Sequence, residues 1–154
     1  MTLPCACTTL RKASRAVTRH YDELMRPSGL TATQFAVLQE VEREGLVPMS
    51  HIAESLVMDR TTLYRAVNPL LRDGVLSYAP GGTDARAKYL IVTRAGKKRM
   101  ARAAVLWEKA QQNTLGRIGE GRWRRISAEL VELATLVDGQ LAPSSTIEDT
   151  GGTG

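Results

Sequence analysis

The sequence has little cysteine, little histidine and few aromatic residues. Of its 154 residues, two are cysteine, two are histidine and 5% are aromatic. Two cysteines without an export-type leader in residues 1–10 predict a reducing, cytoplasmic location and no structural disulfide. No apolar run approaches the roughly 20 residues of a membrane helix, so we expect no membrane partner. Neither histidine lies beside a nucleophile motif, and no glycine-rich phosphate loop follows a strand. We therefore expect that the protein is not an enzyme and has no cofactor.

The positive charge is concentrated in one segment. The chain is 43% hydrophobic, enough for a folded core, and its formal net charge is +5. Residues 59–102 carry ten basic and three acidic groups, whereas residues 1–58 are balanced at six of each. A local basic surface favours a polyanionic partner, because neutralised phosphates release condensed counterions.

Apolar spacing and end signals predict a mainly α (α+β) fold with six helices and one β-hairpin. The first helix covers residues 8–25. Thr31 opens the second, with Gln34 completing a capping box, and Gly45 ends it. Ser50 is predicted to cap the third helix, Asp59 the fourth (60–73) and Thr93 the fifth, and the sixth follows Gly119 and Gly121. Strands at 75–79 and 87–92 enclose a glycine-rich loop, so the order is that of a winged helix-turn-helix.

The fourth helix has the composition of a DNA-reading helix. Leu63, Val67 and Leu70 share one face, and the opposite face carries the polar side chains Thr61, Thr62, Arg65, Asn68 and Arg72. Arginine can bind guanine through two hydrogen bonds, and threonine suits a thymine methyl or a phosphate. We expect Pro69 to kink or tighten the helix, which leaves its N-terminal turns to read bases.

The hairpin loop supplies a second predicted contact. Arg86 and Lys88 lie beside two glycines, and an arginine at a loop tip can enter a narrow minor groove. Asp84 is predicted to orient Arg86 by a charge-assisted bond, although an exposed pair of this kind can also contribute almost nothing. The complete set of predicted DNA contacts is Ser50, Arg60, Thr61, Thr62, Tyr64, Arg65, Asn68, Arg72, Asp84, Arg86 and Lys88.

Several motifs in order resemble the MarR family of bacterial transcription regulators. They are Thr31-x-x-Gln34-Phe35, the run from Met58 to Leu63, Arg72-Asp73-Gly74, Asp84-x-Arg86 and Leu90-x-x-Thr93-x-x-Gly96. The resemblance spans about residues 8–141, with Pro69, Tyr64 and the N-terminal Cys-Ala-Cys as departures. It implies a homodimer that binds pseudo-palindromic double-stranded promoter DNA, usually as a repressor. Many members of the family release DNA when a small aromatic or phenolic ligand binds, and others respond to thiol oxidation.

The resemblance also implies a division of the chain. We expect an N-terminal dimerisation helix at 1–29, a winged helix-turn-helix domain at 30–102, C-terminal dimerisation helices at 103–141 and a disordered tail at 142–154. The apolar stripe of Trp123, Ile126, Leu130 and Leu133 fits an all-helical dimer interface.

Cys5 and Cys7 leave a second regulatory hypothesis open. They lack the usual zinc spacing, so no metal site is predicted. Nearby Arg11 and Lys12 and the start of the first helix should lower a thiolate pKa, which favours redox sensing over metal binding. Alternatively, the two cysteines only pack as small apolar side chains under the dimer. For the function of the protein, the remaining alternative is an architectural DNA-binding protein without ligand response.

Overall fold

The computed structural model describes residues 3–80 and 86–138, and within them it contains six α-helices and three strands. In chain order these are α1 (Ala6–Met25), a 3-10 turn (Arg26–Ser28), α2 (Ala32–Glu44), β1 (Val47–Pro48), α3 (Met49–Ser55), α4 (Arg60–Arg72), β2 (Leu76–Ala79), β3 (Tyr89–Val92), α5 (Arg94–Ile118) and α6 (Glu120–Asp138). Contacts divide the chain into two compact units, residues 1–113 and 114–154, with the border inside α5.

The core of the first unit forms where α2, α3, α4 and the sheet meet. The predicted α4 face of Leu63, Val67 and Leu70 is buried, as is Ile52 of α3. Helix α2 begins as predicted, since Thr31 and Gln34 form a complete capping box. Helix α2 buries Phe35, Leu38 and Val41, the stripe that helical spacing in the sequence predicts, and also Val37 and Glu40, because it is packed against several elements at once. Packing on more than one side widens the buried arc beyond a simple amphipathic stripe.

The sheet is antiparallel, with the strand order β1-β3-β2. The hairpin of β2 and β3 was predicted, but β1 was not, because two residues are too few to show a period in the sequence. Val47 of β1 pairs with Leu90 of β3, and Leu90 pairs on its other side with Tyr78 of β2. The short strand therefore anchors the start of α3 to the hairpin.

The cap predicted at Ser50 is wrong. Helix α3 begins two residues earlier than a cap at Ser50 would give, with Pro48 at the N-cap and without a side-chain cap, so Ser50 is exposed in the first turn. The reason is the unpredicted β1 strand: the Met49 N–H donates to the Lys88 carbonyl oxygen at 3.1 Å, which satisfies one of the N–H groups that the first turn leaves without a partner in the helix. Asp59 and Thr93 do cap as predicted, accepting from the N–H groups of Thr62 and Gly96.

The turn from α3 to α4 contains an unusual backbone conformation. Val57 has a φ of 51°, in the left-handed region, where a β-branched side chain is strained. Met58 N–H donates to the Ala53 carbonyl and Val57 N–H to the Glu54 carbonyl, the two bonds of a Schellman ending. Glycine usually occupies this position because it has no Cβ. Val57 is therefore held in place by the structure on either side of it.

The second unit contains the end of α5 and α6. Gly119 separates the helices, and α6 begins at Glu120, so Gly121 lies inside its first turn and not before the helix as predicted. Trp123 and Ile126 of the predicted stripe are half-buried, whereas Leu130 and Leu133 are each 37% exposed. The predicted tail at 142–154 and the last three residues of the predicted C-terminal dimerisation segment, 139–141, lie outside the described residues.

Candidate nucleic-acid interface

Helix α4 presents a polar face to solvent, as the sequence predicts. All seven α4 residues proposed as DNA contacts are exposed: Arg60, Thr61, Thr62, Tyr64, Arg65, Asn68 and Arg72. Ala66 is buried in addition to the three predicted apolar residues, which fixes the rotation of the helix about its axis. The helix continues in one stretch past Pro69 to Arg72. The polar face thus spans the whole helix, while the kink at Pro69 stays a prediction.

The N-terminus of α4 is built around Asp59. Both the N–H and the hydroxyl of Thr62 donate to its carboxylate, at 2.8 and 2.7 Å. These hydrogen bonds, first that of the Thr62 hydroxyl and then that of the Thr62 N–H, hold the pKa of Asp59 below its ordinary value. The ionised cap fixes the first turn of α4 and uses the Thr62 hydroxyl, which is therefore already hydrogen-bonded when a phosphate approaches.

Five predicted contacts from three parts of the chain line one hollow of about 260 Å³. They are Ser50 on α3, Arg60 and Tyr64 on α4, and Arg86 and Lys88 at the base of the hairpin. Three cationic side chains, a phenol and a hydroxyl thus converge at one surface. Such groups are the donors that bind phosphate oxygens in protein–DNA complexes.

The hairpin base is tied to both neighbouring elements. The Lys88 ammonium lies 5.5 Å from the ring centroid of Tyr78 on the adjacent strand, within cation–π distance. The Lys88 carbonyl accepts the bond from Met49 described above. Asp84 lies outside the described residues, so its predicted bond to Arg86 stays a prediction.

The far end of α4 is less positive than the sequence pattern indicates. Asp73 lies 3.7 Å from the Arg72 guanidinium and 3.3 Å from that of Arg99 on α5. Arg72 nevertheless keeps 76% of its side chain exposed. We therefore expect Arg72 to contribute less to phosphate binding than Arg65, which lies one to two turns nearer the N-terminus.

The cysteines lie at the start of α1. Both are free and exposed. Hydrogen bonds from the backbone N–H and then the hydroxyl of Thr8 lower the pKa of Cys5, in agreement with the predicted effect of the helix start. Arg11, predicted to help, donates to the Cys7 sulfur at 3.6 Å instead.

Sequence reasoning missed Glu40 and Val57. Glu40 is buried within α2, with its carboxylate 2.8 Å from the Arg43 guanidinium and 4.0 Å from His51 of α3. No local pattern marks Glu40, because its burial depends on contacts between α2 and other elements. A β-branched residue where a helix is followed directly by a turn was the signal for Val57.

The neighbours of Glu40 favour the ionised form of its carboxyl group. Burial raises the pKa of this carboxyl group, but hydrogen bonds from Ser55 and Arg43, with the charges of Arg43 and His51, outweigh it and leave the pKa below its ordinary value. Atoms of Glu40, Glu44 and His51 lie within 4.8 Å of one another, a spacing that could hold a metal ion. Arg43 already pairs with both carboxylates, at 2.8 and 2.9 Å, which argues against a cation there.

Comparison with known proteins places these features in a family. The family model described as MarR family matches residues 28–87. The solved structure of the M. tuberculosis transcriptional regulator MosR in complex with DNA is 33% identical, covers 90% of this chain and 100% of its own, and superposes with a TM-score of 0.77. No curated protein matches the chain.

Two further structures share the fold at lower identity. The transcriptional repressor CouR bound to a 23-mer DNA duplex is 20% identical, with 87% of this chain and 99% of that chain covered and a TM-score of 0.75. A mutant MarR from E. coli complexed with operator DNA is 18% identical, with 82% of this chain and 91% of that chain covered and a TM-score of 0.73.

Within residues 3–80 and 86–138, no helix combines the length and apolar character of a membrane span.

Proposed function

This chain belongs to the MarR family of DNA-binding transcription regulators, which are not enzymes, and we propose that it is a cytoplasmic, homodimeric, sequence-specific repressor. The observation that carries the proposal is the convergence of Ser50, Arg60, Tyr64, Arg86 and Lys88 around one hollow beside the exposed face of α4. We propose that α4 enters the major groove and that the hairpin reaches the adjacent minor groove.

Selection of bound duplexes from random DNA tests this function. We expect an enriched pseudo-palindrome whose two half-sites lie about one helical turn apart, because a two-fold dimer presents two copies of α4. Enrichment without any common sequence favours the architectural alternative. A single half-site in every bound duplex would argue against the dimer.

The dimer proposal rests on apolar side chains that α6 leaves exposed. Leu136 and Val137 are 76% and 79% exposed, and Leu130 and Leu133 are 37% each. On α1, Leu10 and Val17, which the sequence places on an apolar face, are also 38% and 42% exposed. Apolar surface left exposed on two helices of a small protein is typical of an interface. The predicted division into dimerisation and DNA-binding segments is retained as part of this proposal.

We predict that the double substitution Leu130→Glu and Leu133→Glu converts the dimer into a monomer, because it places charge in the interface. Analytical ultracentrifugation at micromolar concentration measures this, with Gln39→Glu at an exposed position of α2 as the control. Wild-type protein that sediments as a folded monomer and still binds the selected duplex tightly contradicts the proposal.

The wing prediction concerns Asp84 and Arg86. Replacing Arg86 with alanine should weaken DNA binding and reduce the slope of log affinity against log salt by roughly 0.9, one phosphate equivalent. If Asp84 orients Arg86, Asp84→Asn should also weaken binding, and should do so only when Arg86 is present. The four proteins of this cycle are compared at one salt concentration. Tighter binding by Asp84→Asn alone would show that Asp84 acts only through its negative charge.

We propose that the signal that releases the protein from DNA is a small aromatic or phenolic ligand. Support comes from the aromatic residues shared by α1, α2 and α5: the Trp107 ring centroid lies 6.5 Å from that of Tyr21 and 6.3 Å from that of Phe35. The Tyr21 hydroxyl donates to the Gln111 side chain, which gives this cluster a polar group. Titration of the DNA complex with phenolic carboxylates should release DNA if this signal is correct.

Thiol oxidation is the second candidate signal, favoured by the exposure of both cysteines and the lowered pKa of Cys5. Peroxide would oxidise two thiols to one disulfide and be reduced to water. A bridge between subunits is favoured, since two cysteines one residue apart make a strained ring. We expect peroxide to weaken DNA binding by the wild type and not by the variant with Cys5→Ser and Cys7→Ser. Equal responses from both proteins exclude this signal.

A further inference from the structure

Glu40 is a charged side chain inside the helix-turn-helix, and it joins α2 to α3. The residue is 7% exposed, and the Arg43 guanidinium on its own helix donates to its carboxylate at 2.8 Å. A hydrogen bond from Ser55, the exposed last residue of α3, also lowers the pKa of this carboxyl group. His51, one turn before Ser55 on α3, lies 4.0 Å from the same carboxylate. The C-terminal end of α3 is thus fixed to α2 through one buried ion.

A buried ion of this kind is a poor source of stability. Removing a carboxylate from water costs free energy that its partners only partly return, and apolar replacement of a whole buried ion pair is often neutral or stabilising. Loss of Glu40 alone would leave no buried charge behind, because its partner Arg43 keeps 59% of its side chain exposed. What a buried polar group can provide is a defined arrangement of the elements it joins. The arrangement fixed here is the position of α3 immediately before the turn.

Within the helix-turn-helix, the turn between α3 and α4 depends most on its surroundings for its conformation. Val57, two residues after Ser55, has its strained φ of 51°, and its side chain is 61% exposed, so little packing holds it. Strained backbone persists only where the surrounding structure determines it. Asp59, two residues further on, is the N-cap of α4, so any relaxation of the turn would change the direction of α4.

We propose that Glu40 is a positioning residue for DNA recognition: through Ser55 it holds the strained α3–α4 turn in the geometry that presents α4 to the major groove. The inference rests on the proposed function, because its readout is DNA binding. The N-terminal end of α3 is held separately, through the bond between Met49 and Lys88. Loss of Glu40 would therefore free the turn while leaving the other end of α3 attached to the hairpin.

The test uses Glu40→Leu, alone and combined with Val57→Gly, in the full chain. We expect Glu40→Leu to keep the wild-type urea midpoint but to lose about tenfold in affinity for the selected duplex, a change within the range found for residues of one network. Affinity for random DNA should stay within about twofold of the wild-type value, since phosphate binding does not depend on the exact orientation of α4. In the Val57→Gly background, where the turn is unstrained, the loss should shrink to about threefold or less.

Three further variants complete the design. Glu40→Gln keeps an oxygen for the Ser55 hydroxyl and should bind the selected duplex within about twofold of wild type. Glu44→Gln removes the other carboxylate partner of Arg43 from a more exposed site and should change nothing. Ser55→Ala should reproduce the loss seen with Glu40→Leu, and it serves as the main variant if Glu40→Leu does not fold.

The outcomes separate the inference from the proposed function. Wild-type protein without sequence preference overturns both. Selective wild-type binding, with Glu40→Leu and Ser55→Ala equally selective, overturns the inference alone. An equal loss with and without Val57→Gly shows that Glu40 does not act through the turn, and also overturns it.

Discussion

Replacing Arg65 with alanine should lower affinity for the selected duplex by about 1–3 kcal/mol and relax the preference at one base position. Arg65 is exposed at the middle of α4, on the face opposite Leu63 and Val67, which are buried. From there a guanidinium can reach a guanine edge with two hydrogen bonds, and the buried face keeps the helix from rotating away. Titrations of the selected duplex and of single-base variants measure both effects.

Arg72 provides a matched control on the same helix. Its charge is partly balanced by Asp73, and it lies at the C-terminal end of α4. Arg72→Ala should therefore cost less, and the cost should be similar for selected and random DNA. If Arg65→Ala weakens both kinds of DNA equally, Arg65 binds only phosphate; if it weakens neither, α4 is not the reading helix.

The largest expected loss of stability comes from Gly96→Ala. A Cβ at Gly96 would overlap the Val75 carbonyl oxygen and would lie 2.7 Å from Val92 Cγ1. The first contact is with backbone, which cannot move aside as a flexible side chain can. The Thr93 hydroxyl also lies 2.6 Å from the Gly74 carbonyl oxygen at this junction. We expect a loss of about 3 kcal/mol in the free energy of unfolding, at the upper end of overpacking effects.

Gly116 is the control, since it lies in the same helix and, apart from its chain neighbours and the nearby backbone of the helix itself, no described atom lies within 4 Å of the position that an added methyl group would take. There Gly116→Ala should raise the free energy of unfolding by about 0.5–1 kcal/mol, the difference in helix propensity. Urea denaturation of the three proteins decides the matter. A Gly96→Ala protein as stable as wild type would show that α5 does not pack this closely on the backbone of Val75, just before β2.

Most elements were predictable because their signals are local. Capping residues such as Thr31 and Asp59, and the spacing of Leu63, Val67 and Leu70, fix helix limits and faces within a few residues of sequence. The winged helix-turn-helix order and the polar face of α4 followed from these signals and are confirmed.

The features that were missed depend on contacts between distant residues. Strand β1 exists because Val47 pairs with Leu90, more than forty positions away, and that pairing also moved the start of α3 from the predicted cap at Ser50. The burial of Glu40 depends on Ser55 and His51 of another helix. Sequence spacing carries no direct record of such pairs, whereas DNA contact by each predicted residue stays a prediction.

The most direct test of sequence-specific recognition is the ratio of two affinities at one fixed salt concentration. The selected duplex and a scrambled duplex of equal length and composition are titrated with wild-type protein by fluorescence anisotropy. Specific reading by α4 predicts a ratio of about 10³ or more. A ratio near one would contradict the account, since it would mean that the cationic surface binds phosphate and reads no bases.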